Sequence, residues 1–542
     1  MSTVPGHLFV AHGDLTRLSC DGLLIPSDAD RAVSRHWHRA FGWSTGAEGG
    51  TKSSPAPWVP VPPGATLAED RTGPYRVELV DTVSPGDDIE ALLSAVRRQL
   101  EVLASTMRDD PHAGRVVPLI GMPIPGTGFG GFAQRRGAVV KALVPALVTA
   151  ARELGVDIAL MTTDRRDYAA VQALRSSPPD LSPGKREEAD ALGALAGRGE
   201  LSVFVGAGAS IPLGLPGWAP LVNRLMKEAG LGPLPGDSDE ATLKAGAEVA
   251  HKLLGDRADE IIAAALATNH CALSHALLAD LRVRQTVTTN FDTALELAMA
   301  PVWGEDLRVM TRQWARSCSP WLLKLHGSVD LPGSMVLTTS QYQRHEIDGR
   351  PLYGLVQGLL MTSHLLFVGF SLSDGAYLKL AEEVDRIYRK STGTDSPVAT
   401  ALGLDSLADE SKALDAAFRH IAFRSDDRDL NIAARTLEIF LDRMAWSASR
   451  TAGGAHEYLL DDHYRDLIGD DTEALHRSLA ALVATAGAST SEVAGAVRAM
   501  LRQFGAENPD ADLVSESDVV EGARPAPALG EAARTRQPVG GE

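Results

Sequence analysis

Four short apolar runs, each closing on a small or polar cluster, constrain this chain more than anything else in it. Leu201-Ser-Val-Phe-Val205 runs straight into Gly206-Ala-Gly-Ala-Ser210. Gln285-Thr-Val-Thr-Thr289 ends in Asn290-Phe-Asp292, and Trp321-Leu-Leu-Lys-Leu325 ends in His326-Gly327. Leu365-Leu-Phe-Val368 ends in Gly369-Phe-Ser371. Runs of this length and character read as buried strands. In an open α/β sheet, ligands sit in the crevice beyond the carboxyl ends of the strands. A tight glycine turn there lets backbone N–H groups approach a phosphate. The first cluster is not a full G-x-G-x-x-G fingerprint, because Ile211 stands where the third glycine would be. Taken alone it could be a simple chain reversal, and His326 taken alone could be a core histidine. Together at four strand ends they point to one nucleotide crevice.

Around these runs the pattern alternates between strand and helix, which predicts an α/β layer structure. Residues 1–175 carry strands at His7–Ala11, Gly22–Pro26, Arg115–Ile120 and Val156–Met161. They also carry helices at Ala138–Glu153 and Asp164–Ala173, and a glycine-rich loop from Gly121 to Gly131. Pro and Ser crowding over 176–189 reads as a linker, followed by a short helix over Glu187–Arg198. Residues 190–430 form a second α/β unit, with helices at Trp218–Gly230, Ala241–Leu266, Ser274–Arg282, Ala376–Arg389 and Leu407–Phe418. Pro397–Leu402 is a further strand. Leu430–Met444 is a further helix; residues 431–505 read as a small helical appendage, and 506–542, rich in Ala, Pro, Gly and Glu, as a disordered tail.

A chain of 542 residues exceeds one core. The net charge of −18 argues against non-specific nucleic-acid binding by the bulk surface. Three distant cysteines, Cys20, Cys271 and Cys318, cannot build a cysteine-rich zinc site and read as free thiols in a reducing compartment. No metal is expected. There is no signal-like N-terminus and no apolar run long enough for a transmembrane helix, so a cytoplasmic location is expected.

The segment 1–175 resembles the macro domain, through Gly13-Asp-Leu-Thr16, Asp21-Gly-Leu-Leu-Ile25 and Gly126-Thr-Gly-Phe-Gly-Gly131. Pro26-Ser-Asp28 replaces the family's usual Asn-Ala-Asn run, so the resemblance implies nucleotide binding or sensing rather than ADP-ribose hydrolysis. The four strand-end clusters, in their order, resemble the SIR2 (sirtuin-like) superfamily of NAD-consuming Rossmann-type enzymes. That resemblance implies NAD as substrate. Gly206, Ala207, Gly208 and Ser210 would hold the pyrophosphate, with Gly327, Gly369 and Ser371 as further NAD contacts. Asn290 would orient a water near the nicotinamide ribose, and Asp292 would bond the carboxamide. His326 would be the general base, with a pKa near neutrality. The four-cysteine zinc module of the superfamily's deacylases is missing, and Gly214-Leu-Pro-Gly-Trp218 replaces their Asp-Phe-Arg signature. Water is then the expected acceptor, as in SIR2-like NAD-hydrolysing effectors of bacterial anti-phage systems. In the type I Thoeris effector the nucleotide-binding domain follows the SIR2 domain, whereas here the macro-like segment precedes it. The implied activity is hydrolysis of NAD to nicotinamide and ADP-ribose by a homo-oligomer, switched on by a nucleotide signal or partner. A protein deacylase or ADP-ribosyltransferase, or a non-catalytic NAD or ADP-ribose sensor, are the alternatives.

Overall fold

The structure, a computed structural model, describes residues 4–41, 58–60, 76–107, 111, 114–128, 130–175, 180–236, 238–311, 319–370, 384, 386–387, 390, 397–405, 418–424 and 429–506. Its strands in the first part of the chain are β1 (Leu8–His12), β2 (Gly22–Ser27), β3 (Ala32–Ser34), β4 (Trp58–Pro60), β5 (Arg76–Asp81), β6 (Leu119–Met122) and β7 (Asp157–Thr162). The second part adds β8 (Leu201–Val205), β9 (Gln285–Thr288), β10 (Arg308–Val309), β11 (Trp321–Lys324), β12 (His364–Val368), β13 (Ala399–Gly403) and β14 (Phe418–Ala422). The first sheet has the order β1-β7-β6-β2-β5 and the second β10-β11-β9-β8-β12-β13-β14, while β3 and β4 form a small separate pair. All neighbours within both large sheets are parallel. The expected α/β class with parallel sheets is what the chain adopts.

Parallel strands are covered by helices on both faces, so their side chains are apolar on both sides. β8 illustrates this: all five of its residues are buried. Alternation sends Val203 and Val205 to one core, with Leu322, Leu366 and Val368. Phe204 goes to the opposite core, with Val287, Leu323 and Phe367. Phe204 lies opposite Phe367 in the register, and their rings stack 5.1 Å apart.

Several expected elements shift. The strand expected at Arg115–Ile120 starts only at Leu119. The single helix expected over Ala241–Leu266 is two, Glu240–Leu254 and Arg257–Leu266, broken at Gly255, which adopts φ +59°. Arg76–Asp81 and the helix Ile89–Met107 are present without having been expected. The helix expected over Leu407–Phe418 falls outside the described residues apart from Phe418, which opens strand β14. That over Ala376–Arg389 also falls largely outside them.

Two larger differences concern organisation. The stretch expected as a linker contains the start of a helix, Pro183–Gly197, with Pro183 in its first turn. The expected appendage opens with a 22-residue helix, Leu430–Thr451, that is buried rather than peripheral. Its Ile439, Phe440, Leu441, Met444 and Ala445 join one core with residues of both sheets, Phe9 and Ala159 from the first and Val203 and Leu366 from the second. Gly193 makes this close packing possible, because a Cβ there would stand 2.4 Å from the Met444 carbonyl oxygen. Later in the segment, Tyr464 is fully buried in the outer core of the first sheet and donates from its hydroxyl to Asp167 at 2.5 Å. No helix among the described residues is long and apolar enough to cross a membrane.

Candidate active site

The chain passes from β8 to β9 on one side of the second sheet and later returns to place β12 on the other side of β8. The strand order therefore reverses between β8 and β12, and a crevice opens at that point. A cavity of about 520 Å³ lies there, lined by Ala207, Gly208, Ser210, Asn290, Asp292, His326 and Gly369 among others. The other three predicted strand ends thus converge with the glycine turn that follows β8.

The glycines serve a backbone-to-backbone contact. Gly206 N–H donates to the Val368 carbonyl at 2.9 Å, and Gly208 N–H donates to the Gly369 carbonyl at 2.8 Å. A Cβ on Gly206 would stand 2.5 Å from the Gly369 oxygen, and one on Gly369, whose φ is +65°, would stand 2.4 Å from the Ala209 nitrogen. Only glycine permits both the approach and the left-handed conformation. Gly206 itself sits beneath the lining and acts through its carbonyl.

Asn290 is buried, and its Nδ2 donates to the Gly206 carbonyl at 3.2 Å and to Ser210 Oγ at 3.1 Å. A carbonyl only accepts, so this fixes the orientation of the amide. Its Oδ1 is buried and has no hydrogen-bond partner among the described residues. The Ser210 hydroxyl, accepting from Asn290, donates in turn to Asp292 Oδ2 at 2.9 Å. Asp292 Oδ1 accepts from the Ala294 N–H at 3.0 Å, so this carboxylate both starts the following helix and orients Ser210.

His326 is buried beside Tyr342, ring to ring at 5.2 Å. Lys244 lies over the Tyr342 ring, with Nζ 3.5 Å from its centroid. Burial, aided by the nearby charges of His345 and Lys244, pushes the His326 pKa down to about 3. The expected value near neutrality is therefore not what this cavity produces; the imidazole is neutral at physiological pH. Gly327 differs too. It is not part of the lining, and its φ of +90° turns the chain against Ser334, whose carbonyl oxygen a Cβ would meet at 2.2 Å. Ser371 lies outside the described residues.

Three contributors escaped the reading of the sequence. His275 is fully buried with its pKa lowered to about 4 by desolvation. Its Nδ1 accepts from the Ala272 N–H at 3.2 Å, which leaves Nε2 to carry the proton toward Ser210 Oγ at 3.4 Å. A histidine within the apolar helix Leu273–Asp280 was the available signal. Lys324 donates to the backbone carbonyls of Phe291 and Asp292 and to Glu296 Oε1 at 2.7 Å, so it clamps the turn that presents Asp292. Glu438, from the long helix, reaches the far wall of the cavity. It pairs with Arg115 at 2.9 Å, and Arg115 also binds Asp157 of β7 at 3.0 Å. Nothing local in the sequence joins positions this far apart. Among the described residues, no group of three or more His, Cys, Asp or Glu side chains is gathered as a metal site.

Residues 284–418 match the model of the SIR2-like domain family. This stretch is similar to SIR2-like domains. It contains Asn290, Asp292, His326 and Gly369, while the Gly206–Ser210 turn precedes it. The curated proteins similar to this chain include the NAD(+) hydrolase ThsA of Enterococcus faecium, 24% identical over 36% of this chain and 41% of that protein. The NAD(+) hydrolase ThsA of Bacillus cereus (strain MSX-D12) is 28% identical over 32% of this chain and 37% of its own length. That of Acinetobacter baumannii (strain 532279) is 28% identical over 32% and 36%. The chain spans about two fifths of the length of the relatives it matches.

Proposed function

We propose that this chain is an NAD+ glycohydrolase of a SIR2-like anti-phage defence system, hydrolysing NAD+ to nicotinamide and ADP-ribose when a signal activates it. The observation that carries this is Asn290. Its amide is locked so that a bare carbonyl oxygen, buried and lacking a hydrogen-bond partner among the described residues, is left beside a glycine cradle at the strand switch point. Such an acceptor suits the O–H of a water or of a ribose. The names of the relatives support the same substrate.

In this reading the glycine turn after β8, with Gly369 packed against it, forms the close-approach surface on which the NAD pyrophosphate lies. Asp292, and Ser210 oriented by it, face the nicotinamide side. The bond between ribose C1′ and the nicotinamide nitrogen breaks. Nicotinamide leaves as a neutral ring, and the ribosyl centre becomes oxocarbenium-like. Water oriented by Asn290 Oδ1 adds to C1′, and its proton passes to solvent by way of the neutral His326 imidazole. The balance is NAD+ and water giving nicotinamide, ADP-ribose and a proton. Unchecked NAD loss would harm the host, so control by a macro-like nucleotide-sensing unit within residues 1–175, acting in a cytoplasmic homo-oligomer, belongs to the proposal.

The test is mass-spectrometric analysis of NAD metabolites in phage-challenged bacteria expressing wild type, Asn290→Ala or His326→Ala. Wild type is expected to deplete NAD and release nicotinamide and ADP-ribose, and each variant to lose at least about 100-fold of that activity. Undiminished turnover in both variants would remove the site from consideration.

A further inference from the structure

A larger cavity, about 1010 Å³, lies at the carboxyl ends of the first sheet. Most of its lining follows strand ends: Gly13–Thr16 after β1, Thr82 after β5, the glycine loop after β6, and Thr162–Asp167 at the end of β7. One wall comes from elsewhere. Glu457, Arg502, Gln503, Gly505 and Ala506, almost three hundred residues later or more, close that side.

This wall is held firmly. Glu457 pairs with Arg165 at 2.5 Å, and Asp461 pairs with Arg166 at 2.7 Å. The Leu460 N–H donates to the Phe504 carbonyl at 2.8 Å. Gly505 has φ +86° and approaches so closely that a Cβ would stand 1.9 Å from the Glu457 oxygen. The fixed turn carries Arg502, which is exposed and has no ion-pair or hydrogen-bond partner for its side chain among the described residues. Across the cavity, Thr162 is 3% exposed and its Oγ1 lacks a hydrogen-bond partner among the described residues. Trp37 and Met161 supply apolar surface. A spare guanidinium, a buried hydroxyl without a partner, a glycine loop and an aromatic wall together match a ligand that has both phosphate and a flat apolar ring.

We infer that the C-terminal segment 457–506 is an integral wall of the nucleotide site proposed above for residues 1–175, with Arg502 as a contact for the ligand's phosphate. The inference rests on the proposal that this larger cavity is the signal site and does not depend on NAD cleavage. Ligand binding would then fasten the end of the long helix, whose Ala434, Leu437 and Glu438 line the other cavity.

Hydrogen–deuterium exchange on the full chain, with ADP-ribose as probe, tests this. Amides of 124–136 and of 500–506 are expected to slow together. Arg502→Ala is expected to raise the Kd about 10-fold or more, the worth of one charge-assisted bond, and Arg502→Lys to recover part of the loss. The ligand-free melting temperature of both variants should equal that of wild type, because the Arg502 side chain supports no described contact. Protection of 124–136 without 500–506, together with an unchanged Kd in Arg502→Ala, would overturn the C-terminal wall and leave the nucleotide site standing. No protection in 124–136 would overturn both.

Discussion

In the proposed hydrolysis Asn290 and His326 would take different parts, and their environments set which. The amide of Asn290 is oriented by the Gly206 carbonyl, so only its oxygen is available to a ligand. His326 is held at about 3 by burial. It is therefore uncharged from about pH 5 to 8 and accepts a proton only in passing. If the proposed hydrolysis is right, kcat/KM for NAD should show no acid limb across that range. A fall in rate with a midpoint near 6.5 would contradict the role of a buried, neutral imidazole. At this scale the sequence was informative where a residue stood directly after an apolar run: Asn290, Asp292, His326 and Gly369 all did, and all line the cavity. Gly327 stood there too but spends its freedom on a turn against Ser334. Lys324 was invisible because it acts on carbonyls that only folding brings near, and His275 offered only the signal of a histidine in an apolar helix.

The long helix Leu430–Thr451 is the element that ties the two sheets together, and it does so partly with buried charge. Asp442, fully buried, accepts from His7 Nε2 at 2.8 Å, from Arg175 Nη1 at 2.8 Å and from the Val10 N–H at 3.3 Å. Arg435 binds Asp157 at 2.7 Å, and Arg443 binds Asp190 at 2.6 Å. Burial alone would lower the His7 pKa, but its bonds to Asp180 and Asp442 outweigh this and raise it above 6.5. A raised value means that His7 stabilises the fold fully below its ordinary pKa and ceases to do so as pH rises through the folded value. Asp442 has a lowered value; burial opposes the ionised form, but Arg175 and His7 outweigh it. Its contribution is present above the ordinary 3.8 and lost as pH falls through the folded value. Urea unfolding should accordingly show stability declining as pH rises above His7's ordinary 6.5, with a smaller decline in His7→Gln. An equal decline in that variant would mean that His7 does not link the helix to pH. A helix over Leu430–Met444 was legible in the sequence. Its burial on several sides was not legible, because the charges it carries look like a solvent face until their partners from residues 7, 157, 175 and 190 are in place.

Taken whole, the molecule is two parallel sheets sharing one continuous core through the helices Pro183–Gly197, Leu273–Asp280 and Leu430–Thr451. A backbone bridge at Leu18 and Cys271, with Ser19 N–H donating to the Cys271 carbonyl at 2.9 Å, joins the two halves again. A chain ending at residue 429 should therefore fail to unfold cooperatively and should aggregate, since it leaves the shared core uncovered. Recovery of soluble protein with a sharp melting transition from that truncation would refute the shared core. The sequence by itself determined the α/β class, the four strands that end in the clusters, and the absence of a four-cysteine set. These are local properties: an apolar run buries itself, and a glycine pair marks where backbone must approach backbone. Only the tertiary structure decided that the expected linker begins a packed helix, that the expected appendage is a keystone, and that Arg502 reaches a cavity opened by Gly13. Those facts depend on contacts between residues hundreds of positions apart, which burial and charge pairing select after the strands are ordered. The Gly206–Ser210 turn shows both halves of this, since its shape was readable from its glycines while its partner, the Gly369 backbone, was chosen by the switch in strand order between β8 and β12.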